Sequence, residues 1–361
     1  MINDQKIRLL LHGIDSLYCS YYCMPINNSG INFRRLNEQK EDIRQSKRKN
    51  PLPVILGNTE FHLQPYGTAS GYPLVIENGD FKIEMGEFNN PNFYVKYSSQ
   101  ALWRESAFQL HEKFLQWISS IAYKPYKRES LSRVDFSFDY NLPSMDFNED
   151  SFVSYCSIDS KHRRDRQAQT FTMGKGDIVL RVYDKVAEIK QKSDKVWFYL
   201  LWEQDENVWR IEWEAKKNVL RRYGIITFND LKYKQGDLLH YLATEHDTLR
   251  IPNDDSNPSR WPLHPLWIDL QERIAELGNL GTSRINGEQA VMEERLQRMT
   301  ISIYGYLKRI AAIECVQGNH SMITVDEVLR DLGTYIHYIH EPLTWKIEVE
   351  RKIKEIQLGV W

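Results

Sequence analysis

Three segments of the sequence alternate between apolar and charged residues with the period of a β-strand. They are SRVDFSFDY (132–140), LRVYDK (180–185) and VWRIEWEAKK (208–217). Because alternate residues of a strand face the same side, each segment predicts a strand with one apolar and one charged face. The residues on the charged faces are Arg133, Asp135, Ser137 and Asp139, then Arg181, Tyr183 and Lys185, then Arg210, Glu212, Glu214 and Lys216.

The rest of the sequence predicts further strands and several helices. Short apolar runs between residues 53 and 97, bounded by Gly, Pro and Asn, are typical of consecutive antiparallel strands. The segment 197–216 predicts a pair of strands that leads into a helix ending at Gly224. Helical periodicity returns at 266–277, 287–316, 324–341 and 343–357. The predicted fold class is α+β: an antiparallel, palm-like sheet core with packed helices, followed by a mainly helical C-terminal domain.

A segment rich in Pro, Asn, Asp and Ser, at 251–266, is the best candidate for a domain boundary in this chain of 361 residues. We therefore expect an α+β core over residues 1–265 and a helical domain over residues 266–361.

The charge balance limits the classes of function. Lys and Arg total 47 and Asp and Glu total 49, a formal net charge of −2. This balance argues against coating nucleic acid by bulk positive charge, but it permits a local basic groove. Basic residues concentrate at 33–50, 161–166 and 216–222. The four cysteines form no C-x-x-C pair, and no segment has the pattern of a signal peptide or a membrane span. We expect a cytoplasmic protein without a membrane partner.

The charged strand faces allow two interpretations. An antiparallel sheet with one face in water routinely carries cross-strand pairs of Arg and Glu. Alternatively, converging carboxylates can bind Mg²⁺ or Mn²⁺, and neighbouring arginines can bind phosphate oxygens. A cation beside a tyrosine would also lower the phenol pKa and activate the oxygen as a nucleophile.

The absence of two motifs limits which metal ligands and which reactions the sequence supports. None of the ten histidines forms a His-hydrophobe-His pattern, which would be typical of imidazole ligands to a metal ion. A metal ion here would therefore have carboxylate ligands, which favours Mg²⁺ or Mn²⁺. The phosphate loop G-x-x-x-x-G-K-[ST] is also absent, so nucleotide hydrolysis has no support.

Three motifs in this order resemble the replication initiation factor family. They are R-x-D-x-x-x-D at Arg133–Asp139, T-F-T-M-G-K-G with R-V-Y-D-K-x-x-E at Thr170–Glu188, and R-x-E-x-E-x-K at Arg210–Lys216. The resemblance covers roughly residues 8–270. The family includes plasmid rolling-circle initiators, relaxases of some integrative conjugative elements and replication initiators of filamentous-type phages.

The resemblance implies a relaxase-like, site-specific single-strand DNA endonuclease and strand transferase. Members nick one strand at an origin through a tyrosine and a divalent metal, leaving a 5′-phosphotyrosine and a free 3′-OH primer. By position, the metal ligands would be Asp135 and Glu212, with Asp139, Glu188 and Glu214 as lesser candidates. The nucleophile best matches Tyr223, with Tyr233 and Tyr241 as rivals. The phosphate contacts would be Arg181, Arg210 and Arg222.

Partners and the competing function follow from the same resemblance. The DNA contacts would be Arg133, Lys185, Lys216, Lys217 and Arg221, with Arg163, Arg164 and Arg166 on an expected flexible loop. The partner would be origin DNA, with a single-stranded or cruciform nick site and flanking duplex, in a bacterial cytoplasm. A homodimer and a host helicase are further candidate partners. The C-terminal helices could bind DNA, mediate dimerisation or recruit a partner. The competing function is a non-cutting origin- or operator-binding protein on the same fold.

Overall fold

The structure is a computed structural model that describes residues 7–26, 30–46, 50–156, 159–164, 167–193, 195–277, 288–318 and 322–357. The chain divides into two compact units, residues 1–285 and 286–361. Within the described ranges, all strands lie in the first unit and the second contains helices. No described helix is long and apolar enough to cross a membrane.

The first unit contains thirteen described strands and eight described α-helices. The strands are β1 (Arg8–Pro25), β2 (Leu52–Leu56), β3 (Thr59–Leu63), β4 (Leu74–Glu77), β5 (Phe81–Met85), β6 (Phe93–Tyr97), β7 (Tyr123–Asn141), β8 (Phe152–Ser154), β9 (Asp159–Arg164), β10 (Gln167–Met173), β11 (Ile178–Asp184), β12 (Val208–Lys216) and β13 (Asp247–Leu249). The helices are α1 (Phe33–Gln45), α2 (Ser99–Arg104), α3 (Ala107–Ser120), α4 (Lys185–Glu188), α5 (Phe198–Trp202), α6 (Lys217–Arg222), α7 (Phe228–Tyr241) and α8 (Pro265–Glu276).

Eleven of these strands form one antiparallel sheet, which confirms the predicted α+β class. Their order is β2-β3-β4-β5-β6-β1-β7-β12-β11-β10-β9, and β8 and β13 form a separate pair. The strands predicted between residues 53 and 97 are β2 to β6, which occupy one side of β1. The three strands with charged faces are therefore direct neighbours, in the order β7-β12-β11.

The two longest strands, β1 and β7, pair along most of their length. Their register shifts between Ile14 and Ser16, which pair with Phe136 and Asp135. Asp15 is thus the extra residue of a β-bulge, a feature that redirects a side chain locally.

The apolar face of β7 and β12 forms part of the core. The indole ring of Trp213 packs 6.3 Å from Phe138 and 5.6 Å from Trp267 of α8 (ring centroids). Four residues of α8 are buried, among them Trp267 and Leu270. The two compact units divide after residue 285, so α8 and the Pro-rich segment 251–266 both lie within the first unit.

Two local predictions are wrong. The first segment of the predicted strand pair at 197–216 is the short helix α5, in which Phe198 and Trp202 stack one turn apart at 5.0 Å. The basic segment expected to be a flexible loop includes β9, which pairs with β10 at the edge of the sheet. Arg163 and Arg164 therefore lie on a strand, and Arg166 lies outside the described residues.

The second unit contains α9 (Glu288–Gly318), α10 (Val325–Ile339) and α11 (Pro342–Gln357). Leu307 of α9 and Val328 of α10 are buried and line an apolar cavity of about 310 Å³. Many other apolar side chains of these helices are exposed, including Ile301, Tyr338 and Trp345.

Candidate active site

The charged residues of β7, β12 and β11 form one continuous surface. In the register of the sheet, Asp139 pairs with Arg210 and Arg210 with Tyr183. Two residues along, Glu212 lies between Ser137 and Arg181. We call this surface the polar face; its residues are Arg133, Asp135, Ser137, Asp139, Arg181, Tyr183, Arg210, Glu212, Glu214 and Lys216.

The polar face is largely buried. Asp139 and Arg210 have no exposed surface, and Asp135 and Glu212 are 2% and 8% exposed. The interpretation as an ordinary water-facing side of a sheet is therefore wrong for this part. Because a buried charge is costly unless it is paired and hydrogen-bonded, the partners of each group decide what the surface can do.

At one end of the polar face, Arg210 lies between two carboxylates. Its Nε and Nη2 donate to the two oxygens of Asp139 at 2.6 and 2.8 Å, and its Nη1 donates to Asp15 Oδ1 at 2.8 Å. Trp202 Nε1 donates to Asp139 Oδ2 at 2.9 Å, and the Phe198 ring covers the guanidinium at 4.6 Å. We call this the closed end, because α5 seals it from solvent.

Asp15 is a member of this end that sequence analysis missed. It accepts hydrogen bonds from Trp103 Nε1 at 2.9 Å and Ser99 Oγ at 3.0 Å, and Lys195 Nζ lies 3.4 Å away. Burial acts to raise the pKa of Asp15, but Arg210 and Lys195 outweigh it and hold the pKa below its usual range. Asp15 is therefore a permanent counter-ion of Arg210. The bulge that orients it leaves no periodic signal in the sequence.

Tyr183 and Glu212 occupy the centre of the polar face. The Tyr183 hydroxyl donates to Glu212 Oε2 at 3.0 Å, and Arg181 Nη1 lies 3.4 Å from Oε1. Burial, followed by the charges of Asp15 and Asp135, raises the pKa of Glu212. Burial and Glu212 likewise raise the pKa of the Tyr183 phenol. The negative charge at this point is less fully compensated than at the closed end.

The other end of the polar face carries the more accessible cations. Arg133 binds Asp135 through two hydrogen bonds of 2.8 and 2.6 Å, and Arg181 Nη2 donates to Glu214 Oε2 at 2.8 Å. The side chains of Arg181 and Lys216 are 32% and 40% exposed. We call this the open end, because a ligand can reach its guanidinium groups from solvent.

The residues present suit a hard divalent cation by donor type and by charge. Burial raises the pKa of Asp135, as it does that of Glu212, so a cation beside them would offset their repulsion. Ser137, two residues after Asp135 on β7, pairs with Glu212 of β12, and its Oγ is buried and has no hydrogen-bond partner within the described part of the chain. In that part, no three His, Cys, Asp or Glu side chains are already grouped as a metal site. The fit therefore rests on the pair Asp135 and Glu212 with Ser137.

Lys185 and Glu188 lie beside the closed end. Both are on α4, which follows β11 directly, and Lys185 Nζ pairs with Glu188 Oε2 at 2.7 Å. Burial and the charge of Arg210 lower the pKa of Lys185. Glu188 is therefore already neutralised by its neighbour and lies beyond the Asp135–Glu212 pair.

The chain has little similarity to proteins that are already known. No family model and no curated protein matches the chain. Among solved structures, a rolling-circle replication initiator protein from Geobacillus stearothermophilus is similar at 14% sequence identity and a TM-score of 0.41. The match covers 77% of this chain and 99% of that one. Similarity at this level does not establish a shared family.

The predicted nucleophile Tyr223 is in a different environment from the polar face. It is 7% exposed, and its ring lies 5.3 Å from that of Tyr241. Tyr241 packs on His246, whose neighbour Asp247 accepts a hydrogen bond from Trp213 Nε1. These contacts lead to the apolar face of β12, opposite Glu212 and Glu214.

The rivals of Tyr223 are placed differently. Tyr233 is half exposed on α7, where Lys232 Nζ lies 5.5 Å from the centre of its ring. Tyr183, which sequence analysis assigned to the charged face but did not consider as a nucleophile, is the tyrosine whose hydroxyl reaches Glu212.

The remaining predicted DNA contacts lie on α6, directly after β12. Lys217 and Arg222 are exposed and Arg221 is partly buried. Since α6 begins where β12 ends at Lys216, these side chains extend the positive charge of the open end along the chain.

Proposed function

We propose that the protein is a rolling-circle DNA replication initiator that nicks one strand of its origin and later rejoins it. The observation that carries this proposal is the polar face, where arginines reachable from solvent adjoin two buried carboxylates and a tyrosine hydroxyl. A phosphodiester needs the same three functions: cations for the phosphate oxygens, a site for a divalent ion, and a nucleophile.

In this proposal the open end binds the scissile phosphate. Arg181 and Arg133 are the phosphate contacts, and Arg210 is a positioning residue because its donors are directed at Asp139 and Asp15. Asp135 and Glu212 would hold Mg²⁺ or Mn²⁺, which would supply positive charge for the developing oxyanion. Asp135 and Glu212 also have arginine partners, but burial still raises the pKa of both carboxyls. Asp139, Glu188 and Glu214, which are held in ion pairs, are secondary candidates.

The reaction is a transesterification by a tyrosine. The phenol oxygen attacks phosphorus, the bond to the 3′ oxygen breaks, and the 3′ oxygen leaves with a proton as a free hydroxyl. The 5′ phosphate stays linked to the tyrosine, which preserves the bond energy for rejoining. Geometry favours Tyr183 because its hydroxyl donates to Glu212 Oε2 at 3.0 Å, which places the phenol oxygen beside the proposed metal site, whereas the family resemblance favours Tyr223.

The test is a nicking assay on supercoiled plasmid that carries the DNA flanking the protein's own gene. With Mn²⁺ or Mg²⁺ we expect relaxed product and a protein–DNA adduct, whose tyrosine is then mapped by mass spectrometry. Tyr183→Phe should abolish the adduct, whereas Tyr126→Phe, at an exposed tyrosine, should not. An adduct that persists in Tyr183→Phe and is lost in Tyr223→Phe would reassign the nucleophile. The absence of any nick would reject the enzymatic function.

The competing function, a non-cutting origin- or operator-binding protein, draws support from the ion pairs of the polar face. Guanidinium groups already neutralise Asp135 and Glu214, which a purely structural network would also require. A binding protein should shift origin DNA in a gel without forming an adduct, and Tyr183→Phe should leave that binding unchanged.

The proposed partner is origin DNA, with a single-stranded or cruciform nick site and flanking duplex. Lys216, Lys217, Arg221 and Arg222 would contact its backbone, in a bacterial cytoplasm. Dimerisation through the second unit and recruitment of a host helicase are parts of the same proposal.

A further inference from the structure

A cysteine, a histidine and an aspartate lie in series on the apolar side of β12, away from the polar face. Cys156 follows β8, and Asp247 begins β13, its partner strand. The pairing places the backbone N–H of Tyr155 3.0 Å from the carbonyl oxygen of His246. The local fold therefore brings Cys156 beside His246, although they are 90 residues apart in sequence.

The three side chains form one hydrogen-bonded line. Cys156 Sγ lies 3.9 Å from His246 Nε2, and His246 Nδ1 lies 2.9 Å from Asp247 Oδ2. Asp247 is 1% exposed, and the same oxygen accepts a hydrogen bond from Trp213 Nε1 at 2.9 Å. With Nδ1 donating to Asp247, Nε2 is the basic nitrogen and faces the thiol.

We propose that Cys156 is a modification site that takes small-molecule disulfides, with His246 as the base and Asp247 as the residue that orients it. The thiol proton passes to His246 Nε2, and the sulfur attacks one sulfur of the disulfide. A new S–S bond forms on Cys156, and the old S–S bond breaks. The other sulfur leaves with the electron pair as a thiolate and takes up a proton.

The surroundings of the thiol make the histidine necessary. Burial and the negative charge of Asp247 raise the pKa of Cys156, so the sulfur is protonated at neutral pH and needs a proton acceptor. Among the side chains that the structure describes, the titratable groups that face it are His246 and Asp247, and the rings of Tyr155 and Tyr241 flank the imidazole. Cys156 is partly exposed, whereas Cys19 and Cys23 are buried.

The first experiment follows the reaction of the folded full chain with dithiobis(nitrobenzoate), an aromatic disulfide that releases a coloured thiolate. The background is Cys315→Ser, because Cys315 is the other partly exposed cysteine. We expect a single equivalent of thiolate from this protein and none from the same protein carrying Cys156→Ser. His246→Asn should slow the reaction about tenfold or more near neutral pH. That difference should disappear at alkaline pH, where the thiol ionises unaided.

A matched control is His240→Asn, because His240 is an exposed histidine of α7 and should leave the rate unchanged. A purely structural role for His246 would lower the rate by the same factor at every pH, and this result would overturn the proposal. So would equal rates in His246→Asn and its parent.

The second experiment needs no variant and so does not depend on how the variants fold. Unaltered protein is incubated with oxidised glutathione, digested and analysed by mass spectrometry. The adduct should be found on Cys156 ahead of Cys315. Modification of Cys315 alone, or of neither, would reject the site.

Discussion

At the scale of single residues, the polar face contains two kinds of charged side chain: buried ones that stabilise the fold, and partly exposed ones that can contact a ligand. Arg210 has no exposed surface and directs three donors at Asp139 and Asp15. Arg181 makes similar bonds to Glu212 and Glu214 but remains one-third exposed. Loss of a carboxylate partner should therefore lower stability at Arg210, and at Arg181 it should change the proposed binding of DNA.

Asp139→Asn tests the structural role. The substitution leaves the Arg210 charge without its main counter-ion in a fully buried position, so the free energy of unfolding should fall by about 3–5 kcal/mol. Urea unfolding followed by circular dichroism measures the change. Asp254→Asn, at an exposed aspartate, should stay within about 0.5 kcal/mol of the parent. A loss at Asp139 no larger than that of the control would contradict this account of the closed end.

At the scale of elements, the hairpin that carries Arg181 and Tyr183 depends on a glycine. Gly174, after β10, has a φ of +89°, and a Cβ there would lie 2.5 Å from Ile178 O and 2.8 Å from Cys156 Sγ. Gly176, in the same turn, has open space around the corresponding position.

Gly174→Ala should therefore destabilise the protein by at least about 1 kcal/mol, through both backbone strain and steric overlap. Gly176→Ala is the matched control and should change stability by less than about 0.5 kcal/mol. Thermal unfolding of the two variants side by side makes the comparison. Equal midpoints would show that the turn relaxes without cost.

A second element, α3, carries a histidine in a buried hydrogen-bonded chain. His111 Nδ1 lies 2.7 Å from the Tyr21 hydroxyl, which pairs with that of Tyr97 at 2.5 Å. Burial lowers the pKa of His111, although the charges of Glu129 and Glu112 oppose the shift. Between the ordinary pKa and the lowered one, the unfolded chain binds more protons than the folded chain.

Stability should therefore fall as the pH drops below about 6.5, by at most about 1.4 kcal/mol per pH unit from this group. His111→Asn keeps an oxygen that can accept from Tyr21 and removes the titration. Urea midpoints at about pH 7.5 and pH 5.5 should differ less in this variant than in the parent. His240→Asn, at an exposed histidine, should keep the parent's difference. An unchanged difference in His111→Asn would exclude this origin of acid sensitivity.

The sequence predicted which residues share the polar face where the strands alternate regularly. It did not predict the position of a residue that lies at an irregularity of a strand. Alternation alone placed Asp135, Glu212 and Tyr183 on one face of the sheet, because side chains of paired residues on neighbouring strands point to the same side. The position of Asp15 could not be predicted, because a β-bulge changes the direction of its side chain. The burial of the face could not be predicted either, since Trp103 of α2 and Phe198 of α5 cover it and the segment of α5 was predicted to be a strand.

At the scale of the whole molecule, the two units differ in how much apolar surface they bury. The first unit has an extended core, whereas Tyr338, Trp345 and other apolar side chains of the second unit are exposed. Exposed apolar helix faces of this kind are typical of surfaces that associate with a partner.

We expect a fragment of residues 1–285 to unfold cooperatively and to be monomeric, while the full chain self-associates. The reason is that α8 completes the core of the first unit, and the exposed apolar helices lie beyond residue 285. Sedimentation velocity of the fragment and the full chain at matched concentrations measures the oligomeric state of each. A dimeric fragment would place the contact in the first unit, and a monomeric full chain would remove dimerisation from the proposal.

The closed end also has a consequence for synthesis on the ribosome. Asp15 and Arg210 are separated by 195 residues along the chain. At a translation rate of about 5–20 residues per second, roughly 10–40 s pass between the emergence of the two. Throughout that interval the Asp15 carboxylate of the nascent chain stays hydrated, because the residues that later bury it are not all present. A truncated product that ends before β12 would lack Arg210 and Glu212 and could not assemble the polar face.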